Sequence, residues 1–215
     1  MKCYLIRHGI TEGNLKLHFN GSGTDEPLTQ EGRDELRRIE DAPEGAAVFS
    51  SPMKRARETA EILFPGREPA LIEGIKEMNF GKLEGKNHEE LENDPDFRLW
   101  LESRGRMKIP GGESMKEFMA RTRAAFAEAY AAAKASGADC MYVVTHGGTI
   151  MALMSQLTGE DYLGFNPPNG AGYEIELTED AAGSGLAAAS YERFTGALTA
   201  GEDGWKPPQY TPSEA

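Results

Sequence analysis

The chain has 215 residues, of which 39% are hydrophobic and 27% are charged, so a disordered protein is excluded and one α/β domain with a full apolar core is expected. Its formal net charge of −12 repels nucleic acids and anionic membranes, and neither is expected as a partner. An anionic substrate is repelled as well, unless arginine side chains gather in one pocket.

The two cysteines, Cys3 and Cys140, lie in apolar runs and lack metal-ligand spacing. We expect them to be buried thiols of a protein from a reducing compartment. The apolar run before Arg7 is too short for the core of a signal peptide, and no stretch is long enough to span a bilayer. These features predict a cytoplasmic protein, and they leave its oligomeric state open.

Apolar runs and helical patterns alternate along the first third of the chain. Residues 2–6 predict a strand, residues 10–28 a loop, and Thr29 the cap of a helix with Gly32, Leu36 and Ile39 on one face. A second strand is predicted at 46–49 and a third at 70–72. Between them a helix is predicted with Ser51 as its cap and Pro52 in its first turn, followed by the apolar stripe Met53, Ala56, Ala60 and Leu63.

The pattern becomes irregular at 84–112, a charged and partly helical excursion that we expect over a site. A long helix follows, with Ser114 and Glu117 at capping-box spacing. Residues 140–145 form an apolar run typical of a strand covered on both faces, and a helix is predicted at 150–157. Two late strands, at 173–177 and 186–191, are expected to be antiparallel neighbours at the sheet edge.

This alternation predicts a three-layer α/β/α sandwich with a mostly parallel central sheet. We assign residues 1–194 to a single domain and residues 195–215, which are rich in Gly and Pro, to a C-terminal tail.

Two of the apolar runs end in the same way. The first is followed by His8 and Gly9, and the run at 140–145 by His146 and Gly147. Ligands of parallel α/β sheets bind outside the carboxyl ends of the strands, so neighbouring strands would bring both imidazoles into one crevice. Gly147 lets a ligand approach the backbone closely, and the helix that follows aims its N–H groups at the same space.

Two arginines are placed to supply positive charge. Arg7 directly precedes His8, and Arg55 lies in the first turn of the helix predicted after the second strand. Guanidinium groups bind phosphoryl oxygens through planar, bidentate hydrogen bonds that lysine cannot reproduce. Taken singly, the histidines fit satisfied polar residues at strand ends, and Arg55 fits a surface partner of Glu58 or Glu61. Together these residues indicate a site for a phosphorylated ligand.

Six motifs, spread over about residues 2 to 155, resemble those of the histidine phosphatase superfamily, the phosphoglycerate-mutase-like group. They are, in chain order, Arg7-His8-Gly9 with Thr11 and Asn14, Asp25 to Thr29 with Gly32, Ser50 to Ala56 with Thr59, Glu77 with Phe80-Gly81, Gly112-Glu113-Ser114, and His146-Gly147-Gly148. The first motif alone is weak evidence, whereas six in the same order are specific.

The resemblance implies a phosphoglycerate-mutase-like fold and assigns roles to the residues that match. It implies that His8 is the nucleophile and that Arg7, Arg55 and His146 surround the phosphoryl oxygens. Glu77 would protonate the leaving oxygen and then accept a proton from water. No Asp/His ligand spacing is present, so neither a metal nor another cofactor is expected.

Smaller roles follow from the same resemblance. Thr11 and Asn14 match positions that contact the phosphoryl group or hold its loop, and Gly147 is expected at the substrate. One position departs from the family pattern, because Ile10 stands where the family usually has a polar residue such as Glu or Gln. That departure puts one contact at the pocket rim in question.

The resemblance leaves the reaction open. We expect a phosphomonoester hydrolase that acts on a small phosphorylated metabolite through a phosphohistidine, similar to the broad-specificity and alpha-ribazole phosphatases. One alternative is a cofactor-dependent phosphoglycerate mutase, which would need basic residues at 84–112 for the substrate carboxylate; Arg98, Arg104, Arg106 and Lys108 are the candidates. A second alternative is a non-catalytic protein that binds a phosphorylated ligand.

Overall fold

A six-stranded sheet organises the fold, in the order β3-β2-β4-β1-β5-β6. The computed structural model describes residues 1–179 and 185–194, so the predicted tail at 195–215 lies outside the described residues. The strands are β1 Lys2–Arg7, β2 Ala47–Ser50, β3 Ala70–Leu71, β4 Cys140–Thr145, β5 Gly172–Glu179 and β6 Leu186–Phe194. Strands β1 to β4 pair in parallel, whereas β5 is antiparallel to β1 and β6 to β5. The mostly parallel sheet with two late antiparallel strands is therefore confirmed.

Helices cover both faces of this sheet. They are α1 Glu12–Leu15, α2 Gln30–Asp34, α3 Lys54–Leu63, α4 His88–Leu91, α5 Pro95–Glu102, α6 Met115–Ala135 and α7 Gly147–Thr158. Helix α3 packs against one face in a cluster with Ile6 and Val144, and α6 and α7 pack against the other with Leu5 and Val143. The predicted three-layer sandwich is confirmed. No helix of the described ranges is long and apolar enough to cross a membrane.

The register of β1 and β4 positions the candidate site. Arg7 lies opposite Thr145 in the parallel ladder, and the N–H of His8 donates to the carbonyl of Thr145 over 2.9 Å. Strands β1 and β4 therefore end at the same edge of the sheet, and His8 directly follows β1 as His146 directly follows β4. All six residues of β4 are buried, as its continuous apolar run predicts.

Two of the predicted helices differ from the structure in their cap or their end, and the helix predicted at 150–157 begins three residues earlier, at Gly147. Helix α3 begins after Met53, whose side chain makes no cap hydrogen bond, so the predicted cap at Ser51 with Pro52 in the first turn is wrong. The Ser51 hydroxyl accepts only a long hydrogen bond, at 3.4 Å, from the N–H of Met53, and its short one, at 2.8 Å, is to the imidazole of His146. Helix α2 is capped by Thr29 as predicted but ends at Asp34, so Leu36 and Ile39 lie beyond it.

The predicted excursion at 84–112 folds around a small core of its own. Leu83, Leu91, Phe97 and Ile109 are buried together there. The segment returns to its starting point, because the N–H of Lys82 donates to the carbonyl of Pro110 over 3.1 Å.

The glycines that flank the excursion meet at its base. At the base, a Cβ on Gly81 would lie 2.3 Å from the Pro110 oxygen and one on Gly112 2.4 Å from the Asn79 oxygen. No side chain can be added at either position without moving backbone, so this close approach requires glycine.

Candidate active site

His8 presents one ring nitrogen as a free electron pair. Its Nδ1 lies 2.7 Å from the carbonyl oxygen of Gly9, which can only accept, so Nδ1 carries the proton and Nε2 the lone pair. The ring is 4% exposed. Burial, followed by the charges of Arg55 and Arg7, holds the pKa of His8 well below its usual value. The side chain is therefore neutral near pH 7, as a nucleophilic imidazole must be.

His146 lies beside it, with the two ring centroids 5.2 Å apart. The predicted convergence of the two histidines is thereby confirmed. Arg55 Nε donates to His146 Nδ1 over 3.2 Å, so in the neutral ring the proton resides on Nε2, which is 2.8 Å from the Ser51 hydroxyl. Burial, then the charges of Arg55 and His8, lowers the pKa of His146 well below its usual value.

Arg55 is fully buried in the first turn of α3. Besides His146, its guanidinium binds the carbonyls of Thr24 at 2.6 Å, Gly21 at 3.1 Å and Asn20 at 3.2 Å. It thus connects the loop at 20–24 to the histidine pair, and burial lowers its pKa. The family resemblance predicts a phosphoryl contact for Arg55, and the structure adds this loop-holding role.

Arg7 retains an unused donor. Its Nη1 donates to the carbonyl of Pro167 over 2.7 Å and to Asn166 Oδ1 over 3.4 Å, whereas its Nε is buried with no hydrogen-bond partner among the described residues. A buried donor without a partner is costly, and an anion bound there would satisfy it. Burial lowers the pKa of Arg7 to about 10, which leaves the side chain cationic near pH 7.

Glycines at the start of α7 make room for the charged groups. A Cβ on Gly147 would lie 3.2 Å from the Arg7 guanidinium carbon, and one on Gly148 2.6 Å from Glu77 Oε1. Glycine at position 147 therefore leaves room for Arg7, while its contact with a substrate stays a prediction. The N-terminus of α7 also brings its positive dipole end to this space.

Glu77 is 7% exposed and faces the same helix start. Its Oε1 accepts from the N–H of Met78 over 2.9 Å, and its Oε2 accepts from the N–H of Gly148 over 2.8 Å. Burial raises the pKa of Glu77, although both N–H groups and the charges of Arg55 and Arg7 oppose that rise. A carboxyl with a raised pKa is suited to donating a proton.

Thr11 and Asn14 organise the loop after His8. Thr11 caps α1, with its hydroxyl accepting from the N–H of Asn14 over 3.3 Å. Asn14 Oδ1 accepts from the N–H of Thr11 over 3.2 Å and from Asn169 Nδ2 over 2.9 Å. With its oxygen occupied in this way, the amide N–H₂ of Asn14 is the group left for a ligand.

A cavity of about 470 Å³ opens beside Arg7. Ile10, Asn14 and Leu15 contribute to its lining, together with the carboxylates of Glu31 and Glu35. The apolar Ile10, which departs from the family pattern, thus faces this cavity. The charged side chains that line it are therefore one guanidinium, that of Arg7, and two carboxylates.

Two residues of the site were missed at the level of sequence. Ser51 was interpreted as a helix cap, although it holds the ring of His146. Asn169 lies outside every motif, yet its Nδ2 also donates to the carbonyls of His8 at 3.1 Å and Gly9 at 3.2 Å. No local sequence pattern indicates a role for Asn169, because its hydrogen-bond partners are 155 to 161 positions away in the chain.

The geometry combines a neutral imidazole lone pair, two guanidinium groups, a helix N-terminus and a protonatable carboxyl. Such a set of groups can hold a tetrahedral phosphoryl group and exchange protons with its oxygens. Across 1–179 and 185–194, no group of three or more His, Cys, Asp or Glu side chains is arranged to hold a metal ion.

Residues 3–183 match the sequence model of the histidine phosphatase superfamily (branch 1), and the chain belongs to that family. It is 34% identical over 170 residues to the "Putative phosphoserine phosphatase 2" of Hydrogenobacter thermophilus, covering 74% of this chain and 79% of that protein. It is 30% identical over 165 residues to the "2,3-bisphosphoglycerate-dependent phosphoglycerate mutase 2" of Gloeobacter violaceus, covering 71% and 74% of the two chains. Its relatives thus include phosphatases and mutases.

The fold is similar to that of a solved phosphatase as well. The crystal structure of the alpha-ribazole phosphatase from Shigella flexneri superimposes with a TM-score of 0.73, covering 87% of this chain and 94% of that one at 22% identity. This likeness, together with the match to the family model, confirms the fold that the family resemblance implies.

Proposed function

We propose that the protein is a phosphomonoesterase that transfers the phosphoryl group of a small metabolite to His8 Nε2 and then to water. The observation that carries the proposal is the tautomer of His8. Its Nδ1 is committed to the Gly9 carbonyl at 2.7 Å, so the lone pair of Nε2 is available for in-line attack.

In the first step His8 Nε2 attacks phosphorus, the N–P bond forms and the ester P–O bond breaks. The leaving oxygen takes a proton from the carboxylic acid of Glu77, which becomes a carboxylate. Arg7, Arg55 and His146 surround the remaining phosphoryl oxygens, and the positive end of the α7 dipole helps to stabilise their negative charge. Thr11 and Asn14 keep the loop after His8 in place.

In the second step water attacks the phosphohistidine. Glu77 takes a proton from that water, the P–N bond breaks, and inorganic phosphate leaves while the electron pair returns to Nε2. Both residues regain their starting protonation states, so the cycle closes without a redox partner. No step needs a metal, and we expect the activity to persist in EDTA.

Trapping of the labelled enzyme in an alkaline denaturant tests the intermediate. A ³²P-labelled phosphomonoester should leave an acid-labile, base-stable label on the wild type and on His88→Ala, because His88 is exposed on α4. The label should be absent from His8→Ala. A label that remains on His8→Ala would refute the proposed nucleophile.

The lining of the cavity favours a phosphatase over a mutase. A phosphoglycerate carries a carboxylate that the mutase must bind, but the cavity beside Arg7 bears the carboxylates of Glu31 and Glu35. Two of the basic candidates of the excursion are committed elsewhere, since Arg98 binds the carbonyl of Glu92 and Lys108 pairs with Glu117. Like charges repel, so an added carboxylate lowers affinity.

A direct comparison of substrates separates the three functions. A phosphatase hydrolyses p-nitrophenyl phosphate and does not convert 3-phosphoglycerate to 2-phosphoglycerate. A mutase performs that conversion when it is primed with 2,3-bisphosphoglycerate. A non-catalytic binding protein does neither, although it binds phosphate in calorimetry.

A further inference from the structure

Glu77 lies on a segment outside the sheet, and one side chain of α6 spans that segment. Arg121 Nη1 donates to the carbonyls of Gly74 at 2.9 Å and Lys76 at 3.1 Å, and its Nη2 donates to the carbonyl of Glu77 at 3.3 Å. The guanidinium therefore contacts the backbone of the acid residue itself and of two residues before it.

Glu113 completes the arrangement from the other side. Its carboxylate accepts from Arg121 Nε at 2.8 Å and Nη2 at 2.7 Å, in a two-point ion pair. The same carboxylate accepts from the N–H of Asn79 at 2.9 Å, and the N–H of Glu113 donates to the carbonyl of Asn79 at 2.9 Å. The Arg121–Glu113 pair thus holds the chain both before and after the Glu77 side chain.

The Arg121 side chain and the segment that it binds are both closely packed against α6. The Arg121 guanidinium carbon lies 5.2 Å from the centroid of the Phe118 ring, a stacking that suits a planar guanidinium better than an ammonium group. A Cβ on Gly74 would lie 2.3 Å from that of Ala125. The segment 74–79, which carries Glu77, therefore approaches α6 as closely as glycine permits.

Other contacts hold the same segment without reaching the acid. The hydroxyl of Thr145 donates to the carbonyl of Ile75 at 2.7 Å, and that of Thr149 to the carbonyl of Lys76 at 3.1 Å. The segment therefore stays attached to the sheet when Arg121 is lost. Loss of Arg121 removes its bonds to the carbonyls of Gly74, Lys76 and Glu77 and leaves the Glu113 carboxylate without its ion-pair partner. The backbone that carries the Glu77 carboxyl can then shift.

We propose that Arg121 and Glu113 are positioning residues for Glu77, which set the distance between its carboxyl group and the leaving oxygen. The inference rests on the proposed function, in which Glu77 is the proton donor. The side chains of Arg121 and Glu113 are partly buried, with 28% and 22% of their surfaces exposed. The consequence that matters here is the position of the proton donor. A displacement of about 1 Å can cost about a hundredfold in rate.

Leaving-group dependence tests the proposal. Arg121→Met should lower kcat/KM by about ten- to a hundredfold for an alkyl phosphate, whose leaving oxygen needs a proton. For p-nitrophenyl phosphate, whose leaving group needs little help, the loss should be less than about threefold. Arg121→Lys should recover part of the loss. Arg123→Met, a change of the same kind at an exposed position of α6, should behave as the wild type.

The double variant shows whether Arg121 acts through Glu77. In the Glu77→Gln background, Arg121→Met should cost nothing further, because no proton donor remains to be positioned. Equal losses for both substrates, or a full additional loss in that background, would overturn the proposal and assign Arg121 a general structural role.

Amide hydrogen exchange gives a readout without turnover. Residues 74–79 should exchange faster in Arg121→Met than in the wild type and in Arg123→Met, and unchanged exchange would overturn the positioning role. A wild type that hydrolyses no phosphomonoester would instead refute the proposed function, and the exchange result would still decide whether Arg121 holds the segment.

Discussion

The two halves of the candidate active site are held by different means. His8 and His146 follow paired parallel strands, and the backbone N–H of His8 extends the ladder to Thr145. Glu77 lies outside the sheet, and the carbonyls around it accept hydrogen bonds from side chains, that of Arg121 foremost. A backbone ladder needs no particular side chain, whereas side-chain anchors can be lost one substitution at a time. The nucleophile half of the site, which is His8 and His146, should therefore tolerate substitutions of neighbouring residues better than the acid half, which is Glu77 and the segment 74–79.

The largest effect is expected where chemistry is removed and the ladder is kept. His8→Ala should lower kcat on the order of 10⁴- to 10⁶-fold, as removal of a nucleophile does. The melting temperature should change little, because the backbone bond to Thr145 survives. Steady-state kinetics and thermal unfolding measure the two quantities. Substantial turnover by the variant would contradict the assigned nucleophile.

The second effect concerns the acid half and its dependence on pH. Glu77→Gln should lower kcat/KM for alkyl phosphates by about 10²- to 10⁴-fold. In the wild type, kcat/KM should fall as the pH rises through the raised pKa of Glu77, because the acid form donates the proton. It should also fall at low pH, where His8 becomes protonated.

The variant should lose only one limb of that profile. Glutamine does not titrate, so the fall at high pH should disappear in Glu77→Gln while the fall at low pH remains. The substrate phosphate titrates equally in both enzymes and cancels in the comparison. An unchanged limb at high pH would show that another group donates the proton.

A steric change can break the acid half without removing a functional group. A Cβ on Gly148 would lie 2.6 Å from Glu77 Oε1, so Gly148→Ala should displace the carboxyl and lower kcat/KM by about a hundredfold. Gly148 lies in the first turn of α7, and alanine is a better helix former than glycine, so stability should not fall.

The control for that substitution is Gly164→Ala. A Cβ at Gly164 has no neighbour within 4 Å, so the activity of the Gly164→Ala variant should match that of the wild type. Loss of stability together with activity in Gly148→Ala would indicate a damaged fold rather than a displaced acid.

The smallest effect is expected at the side-chain anchor of the nucleophile half. Ser51→Ala removes the hydroxyl that lies 2.8 Å from His146 Nε2. A single hydrogen bond contributes about 1 kcal/mol, so kcat/KM should fall by about three- to tenfold. A loss as large as that of Gly148→Ala would mean that the ladder does not protect this half, and the contrast between the halves would fail.

Much of this architecture was predictable. The apolar runs predicted five of the six strands to within about two residues at each end. The reason is clearest for β4, whose six residues are all buried, because a buried parallel strand needs a continuous apolar run. The sixth, β6 Leu186–Phe194, was predicted three residues short. The shared ending of the runs before His8 and His146 predicted that both rings meet, and the centroids lie 5.2 Å apart.

The failures have one cause. Ser51 was assigned to a helix cap from local spacing, but the stronger partner of its hydroxyl was His146, which is 95 positions away. Helix α2 was drawn too long, because its apolar spacing continues past Asp34 although the chain turns there. Local sequence patterns indicate which local structures a residue can adopt, whereas tertiary packing decides which hydrogen-bond partner it meets.

The sequence by itself determined the family, the sheet and the chain positions of the imidazoles, guanidinium groups and carboxyl. These depend on periodicity and on motif order, which are properties of the chain as written. Only the tertiary structure decided which atom of His8 is free, which donor of Arg7 lacks a partner and which side chains hold Glu77. Each of those outcomes depends on distances of a few ångströms between segments far apart in the chain, and such distances exist only after folding.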